Sequence, residues 1–283
     1  MKNIQNYELD ESQAGLWYLG QAGYIIRSAG VCVCIDPYLS DSVAKIAPDR
    51  TRLLPVPVQP EELRVDLFLV THDHLDHLDP ETVVPYRHKA DTQFVAPRLA
   101  CRKLAALGVP DANITRVDIG AEETVCGVRV RGIYAHPTED AVADTVGYHL
   151  TFENGRSLYH SSDTGFTDTL LDAAPGAEVL LVCINGKLGN LNVEEAVRLT
   201  QAVRPHVAIP NHYDMMAPNQ EDPTTFVTAL KQAEPTIHVE VVDLMDAFVW
   251  NAKTSMDLVG RIFSRHTNTA ANDIADLCGG MIM

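Results

Sequence analysis

No apolar run in the chain approaches the roughly 20 residues that cross a bilayer. The stretch from Val179 to Ile184 is among the longest, and it is far shorter than that. The opening Met1-Lys2-Asn3-Ile4-Gln5-Asn6-Tyr7-Glu8 lacks the apolar core of a secretory signal. Both absences predict a cytoplasmic protein with no membrane partner. Basic residues are scarce: 22 Lys and Arg face 38 Asp and Glu, a net charge of −16 at pH 7. Such a surface repels phosphate backbones, so no nucleic-acid partner is expected. A small anionic substrate stays compatible, because a few local cations reverse the field inside a pocket. The six cysteines include no Cys-x-x-Cys pair, and most sit within apolar runs. They read as buried, reduced thiols rather than a disulfide framework. Low-complexity segments, charge blocks and long linkers are also missing.

What is present is ordinary globular sequence. With 283 residues and 46% hydrophobic content, the chain can bury a large core. It reads as one domain over 1–252 followed by a tail over 253–283. That tail holds a candidate helix at Leu258 to Arg265 and an apolar end at Leu277 to Met283, which suits a homo-oligomer. Short apolar runs between turn residues predict strands at Gly15–Leu19, Tyr24–Ser28, Val31–Ile35, Asp66–Thr71 and Gln93–Ala96. Others follow at Ile114–Val117, Gly127–Ala135, Val146–Phe152, Arg156–His160, Val179–Ile184 and Val207–Pro210. The last two are His238–Val242 and Ala247–Trp250. Helical patterns occupy Arg98–Leu107, Asn192–Val203 and Pro223–Ala233, and Asp79-Pro80-Glu81 reads as a helix start. Two mixed sheets with helices outside accommodate this order.

The informative segment is Thr71-His72-Asp73-His74-Leu75-Asp76-His77, which follows a buried strand. His72, His74, Asp76 and His77 place four ligands for a borderline divalent metal within six residues. On a near-extended backbone His72 and His74 point the same way and can share one ion. Asp76 and His77 come later and can reach a second, while Asp73 points away. Three residues at other strand exits are candidates to complete two sites: His136, Asp163 and His212.

The pattern His-x-His-x-Asp-His after a strand resembles the metallo-β-lactamase superfamily. Further patches resemble its L-ascorbate-6-phosphate lactonase branch: Gly20-Gln21-Ala22-Gly23-Tyr24, Asp36-Pro37, Ser157-Leu158-Tyr159-His160-Ser161-Ser162-Asp163 and Ile209-Pro210-Asn211-His212-Tyr213-Asp214. The resemblance implies an α/β (α+β) fold, a four-layer αββα sandwich with two metals at one edge. It implies that His72, His74 and His136 hold the first ion, that Asp76, His77 and His212 hold the second, and that Asp163 bridges them. Asp36 would then orient the histidine segment. Two departures stand out. The family more often has glycine where this chain has Ser162, and the chain is shorter before the metal motif than those lactonases.

Two divalent ions, manganese or zinc, would supply an activated water, with Asp163 and Asp76 as the catalytic carboxylates. Ligands alone do not separate esters, lactones, amides and phosphodiesters. Candidate substrate residues are Asn185 and Lys187 in a polar loop after a strand, Asp214 beyond His212, and His160 before Asp163. His160 also fits a hydrogen bond at a strand end, and Asp214 an acceptor behind His212. The leading expectation is a hydrolase of a small polar ester, with a sugar-derived lactone as the nearest analogy. A phosphodiesterase on the same fold and a non-catalytic metal-binding relative are the rivals.

Overall fold

The computed structural model describes residues 1–138 and 143–252. The tail over 253–283, with its candidate helix and apolar end, lies outside the described residues. After a short N-terminal helix α1 (Lys2–Gln5), the first half contains β1 (Ala14–Gly20), β2 (Gly23–Ser28), β3 (Val31–Ile35), β4 (Leu67–Leu69), α2 (Pro80–Val83), β5 (Gln93–Ala96), α3 (Arg98–Ala106) and β6 (Ile114–Arg116). The second half contains β7 (Glu122–Val125), β8 (Val128–Tyr134), β9 (Val146–Thr151), β10 (Ser157–His160), α4 (Asp168–Asp172), β11 (Val179–Cys183), α5 (Val193–Val203), β12 (Val207–Asn211), α6 (Pro223–Ala233), β13 (His238–Val239) and β14 (Ala247–Trp250). One sheet has the order β14-β1-β2-β3-β4-β5-β6 and the other β13-β12-β11-β10-β9-β8-β7.

Alternation along the strands explains the four layers. In β3, Val33 and Ile35 face the other sheet while Cys34 faces outward, and in β4 Leu67 and Leu69 face in while Phe68 faces out. The second sheet repeats this, with Val179 and Leu181 of β11 inward and Leu180 and Val182 outward. Both faces are apolar, so both need cover. The outer face of the first sheet packs against Ala100 and Leu104 of α3. That of the second packs against Ala196 and Leu199 of α5 and Phe226 and Leu230 of α6. The expected αββα sandwich is therefore observed.

Differences from the sequence reading are local. α1, β7 and α4 were not expected. β7 is solvent-facing over Glu122–Thr124, so its pattern carries little apolar signal. β4 ends at Leu69 rather than Thr71, because the Thr71 amide leaves the ladder and donates to Asp36 Oδ1 at 2.8 Å. Cys34 and Cys183 are buried as expected, and burial pushes the Cys183 thiol up to about 12. Cys126 is instead exposed, at a left-handed turn with φ 51°. No helix among the described residues is long and apolar enough to cross a membrane.

Strand direction positions the site. β3, β4, β5 and β6 run parallel, and so do β10, β11, β12 and β13. Their C-terminal ends therefore gather at one rim, where open α/β sheets present functional loops. Cross-sheet hydrogen bonds lock that rim. Val146 N donates to Thr71 O at 3.0 Å, and His212 N donates to Gln21 O at 2.8 Å.

Candidate metal centre

Three strand exits deliver the ligands: β4 into the 72–77 turn, β10 into Asp163, and β12 into His212. Ligand atoms of His72, His74 and Asp163 lie within 4.8 Å of one another, and those of Asp76, His77 and His212 do the same. Asp163 also joins the two groups. Its Oδ1 is 3.4 Å from His77 Nε2 and its Oδ2 is 3.2 Å from His212 Nε2.

The donor atoms are held by partners behind them. Asp36 Oδ2 accepts from His77 Nδ1 at 2.8 Å and from Thr71 Oγ1 at 2.6 Å. This fixes the His77 tautomer and aims Nε2 at the cluster. Asp163 Oδ2 accepts from Asn190 Nδ2 at 3.0 Å. Gln21, fully buried, donates through Nε2 to Asp76 Oδ2 at 2.6 Å and sits 3.1 Å from His212 Nε2. Two buried atoms at the centre, His77 Nε2 and Asp163 Oδ1, have no hydrogen-bond partner. Orphaned buried donors and acceptors are costly, and a shared cation satisfies both. The residues thus fit a pair of divalent ions bound through nitrogen and oxygen.

Electrostatics agree. Burial and the neighbouring His77 push His72 well below its usual value, so its imidazole is neutral and ready to ligate. Burial would lower His212 too, but Asp163 and Asp76 overcome it and raise it to about 9. Burial would raise Asp163, yet His212 and His77 hold it well below the usual carboxylate range. Without a cation, protons on the histidines balance the carboxylates.

His136 is not brought into either group. Its backbone is pinned, donating from N to Thr164 Oγ1 at 2.8 Å and accepting from Gly165 N at 3.0 Å. Its exposed ring instead pairs Nδ1 with the Tyr134 hydroxyl at 3.0 Å.

The cluster floors a cleft of about 260 Å³ lined by Val43, Ile46, Arg50, Leu75, Thr138, Leu188, Asn190, Met216 and Asn219 beside His74, Asp76, Asp163 and His212. None of the four expected substrate residues lines it. Asn185 is fully buried. Lys187 pairs with Glu221 at 3.5 Å and donates to Asn185 O at 3.1 Å. Asp214 accepts from the Tyr18 hydroxyl at 2.7 Å, and burial raises its carboxyl. His160 donates from Nε2 to Ala22 O at 3.0 Å while Nδ1 accepts from Ser162 N at 3.0 Å. Both nitrogens are used, so it braces the turn before Asp163. The bracing role of His160 is the strand-end hydrogen bond that its sequence position also allowed, whereas nothing local marked the placements of Asn185, Lys187 and Asp214. Gln21 and Asn190 were equally hidden, because what marks them is proximity across the fold.

Residues 32–213 match the model of the Beta-lactamase superfamily domain. The chain belongs to the metallo-β-lactamase superfamily. Within that superfamily it falls among the UPF0173 metal-dependent hydrolases. It is 31% identical to the UPF0173 metal-dependent hydrolase of Methanopyrus kandleri over 237 residues, covering 80% of this chain and 95% of that one. The Methanobrevibacter smithii relative is 28% identical over 252 residues, covering 85% and 98%. Igni18, a metallo hydrolase from Ignicoccus hospitalis, shares the fold at TM-score 0.69 and 21% identity, covering 84% of this chain and 99% of that one. The superfamily's histidine motif is thus seated at the rim where the parallel strands end.

Proposed function

We propose that this superfamily member hydrolyses a small polar ester, with a sugar-derived lactone as the nearest analogy, at two divalent ions. One observation carries the reading: Asp163 joins two three-residue ligand groups at the floor of a small cleft. His72, His74 and Asp163 would hold one ion and Asp76, His77 and His212 the other. When bound, such ions lower the pKa of a water toward neutrality and polarise a carbonyl oxygen. The donors are nitrogen and oxygen only, which suits manganese or zinc.

The chain's own contribution is positioning. Asp36, Gln21 and Asn190 hold His77, Asp76 and Asp163 in place before any substrate arrives. Asp163, held by Asn190 and lying against both His77 and His212, would grip the ions, and it is the carboxylate that would take the water's proton. The cleft volume suits a small molecule rather than a polymer.

The test is a panel of lactones, simple esters and bis-p-nitrophenyl phosphate, assayed with the protein loaded with manganese or zinc. Lactone or ester turnover supports the reading. Turnover of the phosphodiester alone would replace it with a phosphodiesterase, and metal binding without any turnover would leave a metal-binding relative.

A further inference from the structure

Resting on that hydrolytic reading, the cleft says more about what enters. The segment after Tyr38 carries two arginines with opposite fates. Arg52 is consumed by structure: Nη1 donates to Tyr38 O at 2.7 Å and Ser40 O at 2.9 Å, and Nε donates to Leu54 O at 2.7 Å. Its guanidinium also lies over the Tyr38 ring at 5.2 Å. Arg50, two residues earlier, lines the cleft. Its side chain has no hydrogen-bond or ion-pair partner among the described residues. The nearby cations are spoken for, Lys45 by Glu81 and Lys187 by Glu221. In a chain of net charge −16, an unpaired guanidinium beside the candidate metal centre is a site for an anion.

Part of the cleft wall is apolar. Val43 and Met216 are buried in it, while Ile46 is 74% exposed and Leu188 56% exposed at the cleft. Large aliphatic side chains left open to water beside a binding cleft mark a surface that a ligand covers.

We propose that the substrate carries an anionic group, carboxylate or phosphate, on an apolar arm. Arg50 holds the anion, and Val43, Ile46, Leu188 and Met216 cover the arm. Arg50 is thus a specificity-determining residue, and Lys187 is not.

The experiment pairs 4-nitrophenyl monoesters of succinate, glutarate and adipate with 4-nitrophenyl butyrate, pentanoate and hexanoate. The metal-loaded protein is expected to favour the anionic member by about tenfold in kcat/KM, the size of one charge-assisted hydrogen bond, with the effect in KM. Arg50→Ala removes the preference, Arg50→Lys keeps part of it, and Lys187→Ala keeps it whole. Equal selectivity in wild type and Arg50→Ala overturns the inference. If no ester is turned over, the ester reading fails while the anion site is still decided by calorimetry. Adipate and inorganic phosphate are then titrated into metal-loaded protein, and thermal melts confirm that each variant is folded. Binding about tenfold weaker in Arg50→Ala sustains the site, and the stronger of the two probes identifies the anion. Equal affinity in the two proteins eliminates it.

Discussion

Asp36 shows how much of the centre is arranged by single side chains. Both its oxygens are occupied, by Thr71 N, Thr71 Oγ1 and His77 Nδ1. An Asp36→Ala change frees the His77 ring and leaves the Thr71 amide without a partner. Metal affinity is expected to fall about 10- to 100-fold, as for other groups that orient a metal ligand from behind. Competition with a chromophoric chelator measures it, and unchanged affinity would refute the role. Gln21 acts on the other group. Its amide grips Asp76 and touches His212. Gln21→Ala is expected to weaken metal binding about tenfold, by the same kind of loss. In the same chelator assay, Lys187→Ala should leave affinity where it was.

At the scale of the element, the ligands are launched from strained turns. Gln21, Asp36, Ser162 and His212 all have left-handed backbones, with φ of 58°, 42°, 63° and 58°. Such conformations cost non-glycine residues of order 1–3 kcal/mol each and persist only where the surroundings over-determine them. Here the restraints are visible, with His160 Nδ1 accepting from Ser162 N and Gln21 O accepting from His212 N. The departure at Ser162 now has a physical meaning. Glycine suits the position before Asp163 because the backbone there has positive φ, and this chain keeps serine there, paired through Oγ with Thr145 Oγ1 at 3.1 Å. Ser162→Val, with a β-branched side chain at that φ, is expected to destabilise the fold by about 2 kcal/mol. Ser162→Gly should be far milder in denaturant unfolding. Equal effects of the two would show that the backbone is not the constraint.

Over the whole molecule, charge and fold are coupled through the centre. In metal-free protein His212 is raised to about 9 by Asp163 and Asp76, against an ordinary value of about 6.5. A group raised in the folded state contributes stability that is complete below its unfolded pKa and is lost as pH climbs through its folded one. Metal-free stability should therefore decline between pH of about 6.5 and about 9. Metal ions need the neutral imidazole, so the rise in Tm on adding manganese or zinc should grow over the same window. Thermal melts with and without metal at several pH values measure this. A metal-induced shift that shrinks with rising pH would contradict it.

The sequence by itself determined the layers and the ligand types. Doubly apolar strands between helical patterns accommodate two sheets with helices outside, and three histidines in six residues after a strand point to a metal-binding turn. Both are local signals, written in periodicity and spacing. Only the tertiary structure decided which distant groups meet. It brings Gln21 and Asn190 to Asp76 and Asp163, leaves His136 with Tyr134, and turns Lys187 to Glu221 while Arg50 lines the cleft. Such partnerships depend on strand order and turn geometry across the molecule, so no window of sequence contains them.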